Sequence, residues 1–222
     1  MVKGIIFDLD GVLVSTDKYH YQAWKKIADK LQVEFNETIN DRLRGVSRME
    51  SLEIILEKAV GSQLSAEQKE MLAEEKNGYY KKLLDNLTEK DALDNAREVL
   101  GRLKEDGFLL AVGSSSKNTK KILDKIKLEE MFDIVVDGTD ISKSKPDPEV
   151  FLKAAERLKL KPEECAVVED AQAGIDAAIR AGMHAIGYGS IGSYEKCDDR
   201  IDKLSEIEKL EIIREAFLSL TV

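Results

Sequence analysis

Two patterns of apolar residues alternate along the chain. The first is a short, dense run. Gly4 to Leu9 is one of these and predicts a buried strand, although two carboxylates, Asp8 and Asp10, fall at its end. The second is a longer segment with apolar residues three or four positions apart. From Tyr19 to Leu31 this spacing puts Tyr19, Ala23, Trp24, Ile27 and Leu31 on one side of a helix. Met49 to Ala59 and Ala66 to Leu84 repeat it, with Ser47 and Ser65 placed as N-caps. From about Asn95 the two patterns interleave. Helices are predicted over Arg97–Glu105, Lys117–Ile126, Pro148–Leu158, Ala171–Ala181 and, at the end, about Glu206–Leu218. Strands are predicted over Phe108–Val112, Ile134–Val136, Cys165–Val168 and His184–Gly187.

Short apolar strands separated by helices imply a parallel sheet covered on both faces, and the first strand belongs with the later ones. The expected fold is therefore α/β, a doubly wound parallel-sheet core formed by residues 1–16 and 92–222. A helical insertion, residues 17–91, interrupts it and is expected over the C-terminal edge of the sheet, where such folds bind ligands.

Composition narrows the choice. Of the 222 residues, 43% are hydrophobic, enough for a substantial core. The net charge of −9 argues against nucleic acid or an anionic membrane as partner. An anionic small molecule would need a local cluster of donors. Cys165 sits in an apolar run and Cys197 among charges. The pair has neither disulfide-framework nor zinc spacing. With no apolar run near ~20 residues and no basic, then apolar, start, the expectation is a soluble cytoplasmic chain.

Polar residues gather at the strand ends. Asp8 and Asp10 follow the first strand, and Ser114, Ser115, Ser116, Lys117 and Asn118 the second. Lys145 lies in "KSKPDP" after the third, and Glu169 and Asp170 end the fourth. Parallel strands bring all of these to one sheet edge. Four clustered carboxylates would repel one another, and an oxygen-only set suits magnesium rather than zinc. Lys145 would offset remaining charge, and Ser114 with nearby N–H groups would cradle a phosphate. Plainer roles exist for each: a turn for Asp8 and Asp10, capping for Ser114–Ser116 and for Glu169 and Asp170, a solvated Lys145. A calcium loop starting at Asp8 fails at Val12 and Tyr19. "GYGSIG", Gly187 to Gly192, fits a dinucleotide pattern but lacks a following βαβ unit.

Taken together, "FDLDGVLV", "VGSSS", "KSKPDP" and "VVEDAQAGI" resemble the four motifs of the haloacid dehalogenase-like phosphotransferases, across most of the chain. "YHYQAWK", "RGVSRMESL", "EKNGYY" and "SSSKN" further resemble the sugar phosphomutases of that superfamily. The resemblance implies an Mg2+-dependent isomerase with Asp8 as nucleophile, Asp10 as general acid and base, and Ser114 and Lys145 balancing charge. Asp8, the carbonyl of Asp10 and Asp170 would hold the metal, with Glu169 beside it. Arg48 would bind the phosphate that is not reacting. Ser116, Lys117 and Asn118, with Ser115 in the same set, would hold it from the core side. Gly45, Val46 and Ser47 would contact the sugar, and His20 and Lys76 the sugar or Asp10. The implied reaction interconverts β-glucose 1-phosphate and glucose 6-phosphate through a bisphosphate, in a monomer. Ser15 stands where the family often has aspartate, and "DALDNA" lacks its usual proline and glycine. A phosphatase with the same core, or a non-catalytic sugar-phosphate sensor, are the alternatives.

Overall fold

The computed structural model describes residues 1–43, 46–59, 64–93 and 95–220. Six strands form one sheet: β1 (Gly4–Phe7), β2 (Leu109–Gly113), β3 (Ile134–Val136), β4 (Cys165–Glu169), β5 (His184–Tyr188) and β6 (Asp199–Ile201). Their spatial order is β3-β2-β1-β4-β5-β6, and every pairing is parallel. Helices supply the crossovers that parallel strands require. Central β1 and β4 are buried along their whole length, which explains why they read as unbroken apolar runs rather than alternating ones.

The chain separates into two compact units, Met1–Ser15 with Thr88–Val222, and Thr16–Leu87. The second unit is helical: α1 (Asp17–Lys30), α2 (Glu37–Asp41), α3 (Arg48–Leu56) and α4 (Ala66–Leu83). Trp24, Ile27, Phe35, Leu52, Ile55 and Leu72 fill its own core. Ser47 and Ser65 cap α3 and α4 by accepting the N–H groups of Glu50 and Gln68. In the first unit the sheet is joined by α5 (Ala96–Glu105), α6 (Thr119–Lys125), α7 (Glu149–Leu158), α8 (Gln172–Ala181) and α9 (Glu211–Leu220). Ile6, Val167, Phe151, Ala154, Ile175 and Ala178 pack the sheet against α7 and α8. The segments where the chain leaves and re-enters this unit are joined by main chain, the Leu93 N–H donating to the Leu13 carbonyl at 2.9 Å.

The α/β class is as expected, with four local differences. The final helix begins at Glu211, because Leu204–Lys209 form a 3-10 helix whose three-residue turn buries Leu204 and Ile207 on one side. Helix α6 starts two residues late. Ser114 and Ser116 hydroxyls take the N–H groups of Ser116 and Asn118 into local turns instead. β6 and α2 were not expected at all. "GYGSIG" covers the end of β5 and a short 3-10 turn, Gly189–Ser193. Cys165 is a buried thiol, its pKa pushed up to about 12 by burial. No described helix is long and apolar enough to cross a membrane.

Candidate active site

Register assembles the site in the sheet unit. Phe7 lies level with Val112 on one side and Val168 on the other, so the next residues, Asp8, Gly113 and Glu169, share one sheet edge. The Asp8 N–H still donates to the Val168 carbonyl at 3.0 Å, and the Ser114 N–H to Val136 at 3.1 Å, which fixes both main chains. Beyond Asp8 the chain turns sharply, with Gly11 at φ +85° and its N–H bonded to Val14 at 2.7 Å. A β-carbon on Gly11 would come within 1.9 Å of an Asp170 carboxylate oxygen, so the turn needs glycine for conformation and for space.

Asp8, Glu169 and Asp170 offer carboxylate oxygens that all lie within 4.8 Å of one another. The Lys145 ammonium enters this cluster, donating to Asp8 Oδ1 at 2.5 Å and Glu169 Oε1 at 2.7 Å. The other Glu169 oxygen, Oε2, accepts the Ala171 N–H at 2.8 Å, so Glu169 braces both Lys145 and the start of α8. Burial opposes the ammonium, yet Asp8 and Glu169 outweigh it and hold its pKa up. Burial, reinforced by Glu169 and Asp10, pushes Asp8 up to about 7 against the pull of Lys145. Burial and the neighbouring Glu169 and Asp8 push Asp170 up to about 8. Among the described residues, four carboxylates therefore act on one another with one ammonium, Lys145, between them, and acidic groups outnumber it. The donors of the cluster are all hard oxygens, which fits a divalent cation bound by Asp8 and Asp170.

The loop that carries Lys145 is held by a staple that sequence reasoning did not find. Glu149, at the start of α7, accepts the Ser142 N–H and hydroxyl and the Lys143 N–H through Oε2, at 2.9, 2.8 and 2.9 Å. Its other oxygen accepts Lys153 at 2.6 Å. These bonds hold the Glu149 pKa down to about 2. From the far side, Arg180 donates to the Pro146 carbonyl at 2.9 Å. Because the staple precedes Lys145 by two residues, Glu149→Ala is expected to lower turnover about tenfold by letting the ammonium drift. Glu149→Gln, which keeps an acceptor oxygen, should recover most of the loss. Equal rates in wild type and Glu149→Ala would separate the loop from catalysis.

The second strand end is also ordered. Ser114, Asn118 and Thr119 are buried. Ser115 Oγ is buried without a hydrogen-bond partner among the described residues. Lys117 is exposed.

The helical unit carries the remaining candidates. Arg48, in the first turn of α3, pairs with Glu74 at 3.2 Å, and burial lowers its pKa. Lys76 Nζ lies 2.8 Å from His20 Nδ1. Val46 and Ser47 lead into α3, whereas Gly45 lies outside the described residues. Tyr80, Trp24 and Glu74 surround these groups but were not singled out from the sequence, where they read as ordinary core and surface positions of amphipathic helices.

A parallel sheet thus carries hard carboxylate donors and a buried ammonium side by side at one edge. The chain belongs to the haloacid dehalogenase-like hydrolase family, whose model matches residues 5–188. It is 41% identical over 189 residues to a Bacillus subtilis (strain 168) protein named beta-phosphoglucomutase, covering 85% of this chain and 84% of the relative. The crystal structure of beta-phosphoglucomutase from Clostridium difficile superposes with a TM-score of 0.88 at 37% identity, over 100% of this chain and 99% of that one. A Thermotoga maritima protein named phosphorylated carbohydrates phosphatase is 31% identical, over 86% of this chain and 87% of its own.

Proposed function

We propose that this protein is a phosphomutase interconverting β-glucose 1-phosphate and glucose 6-phosphate through β-glucose 1,6-bisphosphate. The observation that carries the reading is Arg48. A partly buried guanidinium whose carboxylate partner, Glu74, is exposed and can give way to a phosphate supplies an anion site additional to the carboxylate–lysine centre of the sheet unit. A substrate with phosphate at both ends needs two such sites, and the relatives named beta-phosphoglucomutase favour the same substrate.

In this mechanism Asp8 enters turnover carrying a phosphoryl group. Asp10 takes the proton of the free sugar hydroxyl as that oxygen attacks the phosphorus, the bond from phosphorus to the Asp8 oxygen breaks, and the bisphosphate forms. After the bisphosphate has reversed its orientation, an oxygen of Asp8 attacks the other phosphorus, the bond from that phosphorus to the sugar oxygen breaks, and Asp10 gives the leaving oxygen its proton. Asp8, the Asp10 carbonyl and Asp170, with Glu169 beside them, would hold Mg2+, which when bound spreads the charge of the transferring phosphoryl group. Lys145 and Ser114 orient that group from the protein side. Arg48 takes the resting phosphate together with Ser116, Lys117 and Asn118. The unpartnered Ser115 hydroxyl gains a bond from a ligand oxygen, removing a cost of about 1–3 kcal/mol. Gly45, Val46 and Ser47 contact the sugar, and His20 and Lys76 complete the set. We assign residues 17–91 as a cap that selects substrate and excludes water from the aspartyl phosphate. The protein is read as cytoplasmic and monomeric, with sugar phosphates rather than nucleic acid or membrane as partners.

The test is a paired assay with Mg2+, β-glucose 1-phosphate and a trace of the bisphosphate, following glucose 6-phosphate and free phosphate together. Glucose 6-phosphate without matching phosphate release is expected. Free phosphate alone would favour the second reading, a sugar-phosphate phosphatase, which the Thermotoga maritima relative represents. Arg48→Ala is expected to lower mutase kcat/KM by about two orders of magnitude, since a charged hydrogen-bonded pair contributes about 2–4 kcal/mol. Hydrolysis of a small phosphate ester, which has no second phosphate, should change little. Equal losses in both would remove Arg48 from the distal site.

A further inference from the structure

Within the helical unit, Lys76 is almost fully buried, 3% exposed as a residue, with its ammonium in an aromatic setting. It lies 4.7 Å from the centre of the Tyr80 ring and 5.0 Å from that of Trp24, near enough for both rings to favour the cation. Its Nζ is 2.8 Å from His20 Nδ1. The His20 ring itself lies against Tyr80, centroid to centroid 4.1 Å, and the Tyr80 hydroxyl shares a 2.8 Å hydrogen bond with Thr16. An ammonium has three donors and no acceptor, so the nitrogen facing it must accept. The imidazole proton then resides on Nε2. A second proton, on Nδ1, would set two cations 2.8 Å apart with Arg48 as a third nearby.

We infer that Lys76 is a positioning residue that fixes His20 in the neutral, Nε2-protonated form, making His20 a constant hydrogen-bond donor rather than an acid or base in turnover. The inference rests on the reading of His20 as part of the sugar-phosphate site, and it gives that residue a defined task. Among the described residues, the groups facing His20 from other elements include Lys76 and Tyr80 from α4 and Arg48 from α3, two cations and a phenol. Burial, then Lys76 and Arg48, push the His20 pKa well below its ordinary range, in agreement with the geometry. A neutral imidazole aligned in this way offers Nε2–H to a sugar hydroxyl or phosphate oxygen at every working pH. Asp10 remains the group that exchanges the proton.

The test is nitrogen-15 NMR of the histidine side chains in the full chain, which has only two histidines, with His184→Gln used to assign the signals. In the wild type, His20 should show an acceptor-type Nδ1 and a protonated Nε2, unchanged as pH falls through about 6.5, where an ordinary histidine titrates. Lys76→Met, close in volume and uncharged, should release the ring, with both tautomers present and a titration moved up toward the ordinary range, burial and Arg48 still holding it low. Its kcat should also acquire a further pH dependence at that shifted titration. A proton on Nδ1 in the wild type, or an imidazolium forming near pH 6.5, would overturn the inference without any variant being made. So would an unchanged spectrum in Lys76→Met. The spectra do not depend on which substrate is turned over. If the paired assay returned only free phosphate while His20 stayed locked, the mutase reading alone would fall.

Discussion

Asp8→Asn is expected to abolish the phosphoenzyme and to lower turnover by at least about four orders of magnitude, the scale seen when a nucleophile is removed. The substitution keeps the shape of the side chain and an oxygen able to accept from Lys145, now at 2.5 Å from Asp8 Oδ1. It removes the ionised oxygen that would bond to phosphorus. Folding should move the other way. Burial holds Asp8 at about 7, above its ordinary value of 3.8, so the carboxyl favours the folded state at low pH. That contribution is complete below about pH 4 and fades as pH rises through about 7. Without metal, the wild type should therefore weaken over this interval, whereas Asp8→Asn should show a flatter profile. Mass spectrometry after incubation with the bisphosphate reads the first effect, and urea unfolding in a chelator the second. An acyl phosphate forming in Asp8→Asn at the wild-type rate would transfer the nucleophile's role elsewhere.

Much of the fold was legible because burial on both faces leaves a simple signature. β1 and β4 read directly as apolar runs, and α1 displays its buried face at Tyr19, Ala23, Trp24 and Ile27. β6 was not legible. It has three residues, Asp199, Arg200 and Ile201, of which one is apolar, and lies at the sheet edge with a single neighbour. Helix α2, with five residues and one buried side chain, has too short a pattern to show a period. For the site, the local motifs marked the strand ends, and parallel connectivity brought them to one edge. Sequence spacing does not give the partners across that edge. Lys145 reaches an aspartate 137 positions away, and Lys76 meets a histidine 56 positions away. Glu149 follows "KPDP" like any first-turn acidic residue, and only its four bonds to a loop and a lysine reveal that it pins the chain two residues before Lys145. The roles of Asp10, Arg48 and His20 came from resemblance, because the chemistry of a turnover is not written in periodicity.

Lys145→Met is expected to combine a catalytic loss of about two to three orders of magnitude with a change in folding that magnesium reverses. The catalytic part follows from the proposed mechanism, in which the ammonium beside Asp8 meets charge on the phosphoryl group transferred there. The folding part follows from burial. The Lys145 side chain is 7% exposed and bridges Asp8 and Glu169, themselves 11% and 2% exposed. Removing one partner from a buried ion pair costs roughly 3 kcal/mol or more. Here the cost is bounded, because Asp8, already held at about 7 and then pushed higher, can take up a proton instead. The metal-free variant should thus be destabilised most at alkaline pH and recover as pH falls. Added magnesium, supplying charge to the same carboxylates, should stabilise the variant by more than it stabilises the wild type. Paired urea titrations, with magnesium and with a chelator, measure that difference directly. If the two proteins gained equally, Lys145 and the cation would not be sharing one cluster of charge, and the assignment of Asp8 and Asp170 as metal ligands would have to be abandoned.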